Sequence, residues 1–340
     1  MAVTTEKSLT SPHTHTTRTV RDVMLQVMLA LIPGIAVSTW YFGISILANL
    51  FLGVLFAVAI EAGLLRLTRS PVLPGITDGT AIVTGMLFAL ALSPFTVWWV
   101  TLTGIAFAIL VAKHLFGGVG NNPFNPAMAG YVFVLLCFPV QMAAWPDLLA
   151  SSDLSFADSL GIIFQGLPAT TDGLTGATPL TNMQLELNRM TMVSEIEAGP
   201  LYGALGGMAW QGIAIAYLLG GIWLMINHII RWQIPCAVIG TVLLAAIVCH
   251  MTDPDIYPSA SYHLFTGGTM LCAFFIATDP ASSSTTPGGK IIYGVGIGLL
   301  IFIIRTWGSY PDGIGFAVLI MNAFVPLIDY YTRPRVLGET

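Results

Sequence analysis

Charge is scarce in this sequence. Of its 340 residues, twelve are Lys or Arg and seventeen are Asp or Glu, so only 9% are charged, against about 25% in a soluble domain. So few charges cannot clothe a water-facing surface on a chain this long, and a soluble globular protein is excluded. The balance is acidic, at net −5, which excludes a nucleic-acid face built from clustered bases. Cysteine is sparse too. Cys137, Cys236, Cys249 and Cys272 lie in or beside apolar runs, and none forms a C-x-x-C pair. Neither a disulfide framework nor a metal site is signalled; small packing residues are the expectation, with iron ligation shared between subunits left open. There is no G-x-x-x-x-G-K-[ST], so nucleotide hydrolysis is not indicated. The six histidines (13, 15, 114, 228, 250 and 263) are scattered without metal-ligand spacing.

Hydrophobic residues fill the space, at 55%, and mean hydropathy is +0.81. A span needs about 20 mostly apolar residues. Ten runs qualify: 23–42, 44–63, 78–93, 95–112, 127–144, 203–226, 234–250, 263–278, 291–309 and 313–329. The first is too long for the core of a signal peptide and reads as a retained helix. The expected fold is therefore an all-α polytopic membrane protein with about ten transmembrane helices. Runs 78–93 and 263–278 both begin with Gly/Thr clusters, which predicts broken or half-spanning helices.

Lys and Arg accumulate in cytoplasmic loops. With the N-terminus inside, ten crossings put Lys7, Arg18, Arg21, Arg66, Arg69, Lys113, Arg231, Lys290, Arg333 and Arg335 on the cytoplasmic side, ten of the twelve bases. Arg189 and Arg305 are the exceptions. An N-in, C-in chain is expected, divided into a cytoplasmic N-terminal segment (1–22), a first five-helix half (23–144), an extracytoplasmic loop (145–202), a second five-helix half (203–329) and a cytoplasmic tail (330–340). The loop carries seven acids (Asp147, Asp153, Asp158, Asp172, Glu186, Glu195, Glu197) against Arg189 alone. Five spans on each side of it point to a duplicated ancestor, and an odd number per half makes the halves inverted. "TDGTAIVTGMLFALALSP" (77–94) and "FTGGTMLCAFFIATDP" (265–280) share a Gly/Thr start, a Met-Leu-x-Ala core and a terminal Pro.

Ionisable residues are nearly absent from mid-span; Glu61, Arg305 and Asp329 lie toward helix ends. That argues against a proton pump acting alone, and leaves open ion passage over hydroxyls and carbonyls. Two joints are dense in Gly, Asn, Ser and Pro: "FGGVGNNPFNPAMAG" (116–130) and "TDPASSSTTPGGK" (278–290). Each is either an anion-binding backbone nest or a plain tight turn. "DGLTGAT" (172–178) reads locally as a turn, with Thr178 set among small residues where its hydroxyl is accessible.

Four stretches together resemble a known family: "SPHTHTTRTVRDVMLQVMLALIPG", "FGGVGNNPFNPAMAGYVF", "DGLTGATPL" and "FFIATDPASSSTTPGGKIIYG". The chain resembles the RnfD family, the D subunits of Rnf (Rsx) electron-transport complexes. More distantly it resembles the B subunit of the sodium-pumping NADH:quinone reductase. The short N-terminus with its "SPH" opening favours the former. In this family D-G-x-[ST]-G-A-T marks attachment of FMN by a flavin transferase, outside the cytoplasm. The resemblance thus implies Thr178 as the residue esterified by the FMN phosphate, and Asp172, Gly173, Thr175, Gly176 and Ala177 as the attachment motif.

It further implies a redox subunit, not catalytic alone, of an ion-translocating complex in a bacterial inner membrane. Electrons pass between reduced ferredoxin and NAD, coupled to Na+ or H+ movement. Its partners are the membrane subunits A, E and G and the soluble subunits B and C. A non-covalent riboflavin is also implied; it has no assigned residues, and 116–130 is the place to look. A flavin brings its own one- and two-electron reactivity, which fits a chain without clustered acids, bases or metal ligands. The acidic loop is a candidate for disfavouring negative charge on the reduced flavin. A stand-alone channel or solute transporter with an inverted repeat is the alternative reading, and a purely structural membrane anchor a third.

Overall fold

The computed structural model describes residues 18–118, 120–148, 155–167 and 173–333. The first half opens with α1 (Val20–Phe42), started by a capping box: Thr19 Oγ1 accepts from Asp22 N–H at 3.2 Å while Asp22 Oδ2 accepts from Thr19 N–H at 2.9 Å. Then come α2 (Ser45–Leu67), the short α3 (Val72–Thr77), α4 (Thr80–Ala91), α5 (Trp98–Ala106, continued by a π-helical stretch Phe107–His114), α6 (Pro126–Cys137) and α7 (Pro139–Ala143). The intervening loop holds β1 (Trp145–Pro146), α8 (Phe156–Gln165), β2 (Thr175–Gly176), α9 (Pro179–Asn188) and α10 (Val193–Glu197). The second half holds α11 (Met208–Ile226), α12 (Gln233–Thr252), α13 (Ala260–Phe265), α14 (Thr269–Leu271, continued by π-helical Cys272–Ile276), α15 (Pro287–Trp307) and α16 (Ile314–Tyr331).

Six of these helices (α1, α2, α11, α12, α15 and α16) are long and apolar enough to cross a membrane. At 1.5 Å per residue, the 23 residues of α1 exceed the roughly 30 Å hydrocarbon core. The remaining apolar segments are shorter. Helix α4 has twelve residues, too few to cross alone. It starts after Gly79, which holds a left-handed φ of +81° that other residues adopt only with strain. The run at 263–278 is broken between α13 and α14 at Thr266–Gly268, where Gly267 has φ +71°. Both Gly/Thr starts therefore mark interruptions, as their composition predicts. The run at 127–144 is interrupted as well, at Phe138 before Pro139.

Small residues set the helix crossings. Helix α1 packs on α11, α2 on α4 and α5, α6 on α16, and α12 on α15. At Gly220 an added Cβ would collide with the Ala30 carbonyl oxygen, and at Gly85 it would lie 2.7 Å from the Gly53 carbonyl oxygen. Close backbone approach of this kind replaces the hydrophobic effect as the source of helix association in lipid. Large apolar side chains such as Trp40, Phe51, Leu244 and Phe324 point outward, as a lipid-facing surface requires. Two of the cysteines expected to pack inside, Cys137 and Cys236, sit on the exposed surface; Cys272 is buried.

The buried bases are paired. Lys113, counted from its loop position as a cytoplasmic charge, is buried against Glu61, with Nζ 2.6 and 2.7 Å from the two carboxylate oxygens. Lys113 Nζ also donates to Thr80 Oγ1 at 2.9 Å, beside the start of α4, where Asp78 Oδ1 accepts from Thr80 N–H at 2.8 Å. At the two Gly/Asn/Ser joints, Asn322 on α16 acts as a stitch. Its Oδ1 accepts from Asn125 N–H at 3.1 Å, and its Nδ2 donates to the Ser282 carbonyl at 2.9 Å.

Removing one member of a buried ion pair strands the other charge, typically at about 3–5 kcal/mol, whereas replacing both with apolar residues is far milder. Lys113→Met alone should therefore lower the thermal midpoint in detergent markedly, and Lys113→Met combined with Glu61→Leu should recover much of the loss. A double variant no more stable than the single one would show that the pair contributes more than mutual neutralisation.

Candidate functional site

The loop motif is built as turn, strand and helix cap in succession. Asp172 lies outside the described residues. Gly173 has φ +110°. Thr175 and Gly176 form β2, antiparallel to β1, with Trp145 opposite Gly176 and Pro146 opposite Thr175. The Leu174 carbonyl accepts from Asp147 N–H at 3.0 Å. Gly176 lies close over Asp147, since an added Cβ would be 3.1 Å from that side chain. Ala177 is exposed and Thr178 half-buried.

Thr178 is the N-cap of α9. Its Oγ1 accepts from Thr181 N–H at 3.2 Å and lies 2.9 Å from Thr181 Oγ1. Pro179 follows at the first helical position, where a missing N–H costs nothing. The helix is docked firmly. Its Pro179 carbonyl accepts from the hydroxyls of Tyr202 at 3.1 Å and Tyr262 at 3.2 Å. Leu180 and Met183 bury against Val193, Ile196 and Tyr262, and Gln184 Nε2 donates to the Gly308 carbonyl at 2.8 Å. Burial first, and then the charges of Glu197 and Glu186, push the Tyr202 phenol well above its ordinary range. It therefore stays protonated and able to donate.

Beside Thr178 a cavity of about 340 Å³ opens between the two halves of the chain. Small-molecule sites run from about 300 to 1,000 Å³. Its wall draws on both halves and on the loop, including Met128, Tyr131, Trp145, Thr178, Trp210 and Tyr217. Phe42, Trp145 and Trp210 form an aromatic trio with ring centroids 5.1–6.0 Å apart. The β1–β2 register ties the motif to this trio, because Trp145 is the partner of Gly176. A mostly apolar, aromatic-walled chamber fits a flat tricyclic ring, and a helix N-terminus fits a phosphate group. Thr178 stands where both requirements meet.

The joints at 116–130 and 278–290 are folded into structure of their own. The amides of Gly117, Gly118 and Asn121 are engaged by the carbonyls of His114, Lys113 and Gly118, and Asn125 caps α6 by accepting from Met128 N–H at 3.1 Å. Those three amides are occupied within the turn itself. Sequence reasoning missed Tyr202 and Tyr262, which hold α9, and the aromatic trio. It also missed Asp312, a carboxylate in the cavity wall. The one advance signal was Arg305, flagged as a base on the wrong side, which proves to be Asp312's partner at 3.0 Å.

Known proteins similar to this chain point to one family. Residues 7–338 match the NQR2, RnfD, RnfE family. The chain is 44% identical to the D subunit of the ion-translocating oxidoreductase complex of Aeromonas salmonicida, over 96% of this chain and 97% of that one. It is 43% identical to the corresponding D subunits of Vibrio cholerae, over 97% and 98% of the two chains, and of Escherichia coli O127:H6, over 97% of each. With six helices long and apolar enough to span, several shorter apolar ones among the described residues, and a match along almost its entire length, this multi-pass membrane chain belongs to the NQR2, RnfD, RnfE family.

Proposed function

We propose that this chain is the D subunit of an Rnf-type ion-translocating oxidoreductase and that it carries FMN as a phosphoester on Thr178. The observation that carries this reading is the position of Thr178. Its hydroxyl caps a docked helix at the wall of a cavity large enough for a small-molecule ring system, and it closes the motif Asp172-Gly173-x-Thr175-Gly176-Ala177-Thr178. An ester phosphate there would sit at the positive end of α9. When bound, the flavin supplies one- and two-electron transfer; the chain supplies the tether, the aromatic wall and the exclusion of water. Within the complex it relays electrons between reduced ferredoxin and NAD, coupled to Na+ or H+ movement, beside membrane subunits A, E and G and soluble subunits B and C. A flavin transferase matures it, and a non-covalent riboflavin is a further expected cofactor.

The membrane arrangement we propose is N-in, C-in with ten crossings, an inverted five-plus-five repeat, and the 145–202 loop on the periplasmic side of a bacterial inner membrane. Hydrogen bonds join ends that this count assigns to one side, as from Arg18 to Asn227 and from Thr285 to Asp329. On the opposite side they join Gln184 to Gly308 and Ser93 to Ala144. The packing of first span on sixth (α1 on α11) and of fifth on tenth (α6 on α16) supports a repeat. The same central cavity would serve a solute in a stand-alone transporter, so covalent attachment is the deciding property.

Co-expressed with the flavin transferase, the wild-type chain should give a fluorescent band that survives SDS, and Thr178→Val should not. A colourless wild-type chain in a fully active complex would refute the assignment. In intact cells, Glu195→Cys should react with a membrane-impermeant maleimide well above the unsubstituted background; labelling only after lysis would invert the topology. Replacing Tyr202 and Tyr262 together by Phe removes both donors to Pro179, at about 1 kcal/mol each, and should speed proteolytic nicking around α9.

A further inference from the structure

The cavity beside Thr178 contains one carboxylate. Among the described residues that line it, Asp312 is the single Asp, Glu, Lys, Arg or His; the titratable neighbours are the phenols of Tyr131, Tyr217 and Tyr310. Asp312 sits in the joint between α15 and α16, away from the acidic loop. Its Oδ1 accepts from Arg305 Nη2 at 3.0 Å and Nε at 3.3 Å. Its Oδ2 accepts from Gly268 N–H at 3.1 Å, at the broken start of α14. Arg305 also donates through Nη1 to the His263 carbonyl at 2.8 Å. The arginine side chain is 2% exposed and the aspartate 25%. The pair therefore stands on edge, with its base sealed in the protein and its acid facing the chamber.

In an apolar chamber a fixed charge acts strongly on any charge that arrives. Reduction brings negative charge to a cofactor, and among the described residues lining this chamber the fixed charge is the Asp312 carboxylate. We propose that the Arg305–Asp312 pair sets the reduction potential of the flavin on Thr178: Asp312 lowers it, and Arg305 behind limits the lowering. This rests on the reading that Thr178 bears a flavin whose ring enters the cavity. Neither residue reacts; both act through charge and position.

The test is a spectroelectrochemical titration of the purified complex, with this flavin's signal taken as the difference from a Thr178→Val complex. Asp312→Asn leaves the guanidinium uncompensated behind the chamber wall and should shift the midpoint upward. Arg305→Gln leaves the carboxylate uncompensated and should shift it downward, while Arg305→Lys should stay near wild type. A merely structural role would not give shifts of opposite sign. Should Arg305→Gln fail to assemble, Asp312→Asn against Asp312→Glu decides, with Glu near wild type. An unshifted midpoint in a folded, flavinylated Asp312→Asn complex, or a downward one, overturns the proposal. A wild-type chain without covalent flavin overturns the earlier reading instead, and this one with it.

Discussion

Every backbone N–H and C=O inside a membrane must find its partner within the protein, and most of this structure follows from how that is achieved where spans are interrupted. The starts of α4 and α14 lie at such interruptions, and side chains meet their exposed groups. Asp78 accepts from Thr80 N–H, and Asp312 from Gly268 N–H. Thr266 Oγ1 accepts from Gly207 N–H at 3.0 Å, and Asn49 Nδ2 donates to the Pro94 carbonyl at 2.6 Å. Because these segments stop short, a chamber remains between the halves, and the loop lays the N-terminus of α9 against it. The breaks and the cavity are one feature.

Charge scarcity acquires a meaning from the same constraint. The buried bases Lys113 and Arg305 stand near the starts of the two short helices, each matched by a carboxylate. A helix N-terminus is already electropositive, so an unmatched base there would be costly. Pairing lets these charges stay buried in an apolar interior. Lys113 lies in the π-helical continuation of α5 and Arg305 in the last turn of α15.

Much of the architecture was legible in the sequence because apolar run length and Gly/Thr punctuation are local signals. The interruptions before Thr80 and Thr269 were readable from "TDGT" and "TGGT". The motif ending at Thr178 could be picked out because it is contiguous. The chamber could not be, since its walls come from segments scattered from Ser38 to Ile314, and Trp145, Trp210 and Tyr217 look like any aromatic in an apolar run. "PDG" at 311–313 reads as a turn, and nothing local says that its acid meets an arginine. Lys113 was placed by a rule that treats every loop-proximal base as solvated, whereas its stem and ammonium are enclosed with Glu61. At the Gly/Asn joint, composition alone left nest and turn open; the amides of Gly117, Gly118 and Asn121 are engaged by nearby carbonyls.

The central claim is that Thr178 joins a redox cofactor to the chamber. Intact-mass analysis of the purified chain, followed by peptide mapping across 173–200, tests it most directly. The account predicts a mass increase of one FMN, less water, confined to the peptide containing Thr178. An unmodified mass in chain taken from an active complex, or an adduct on any other residue, would contradict it.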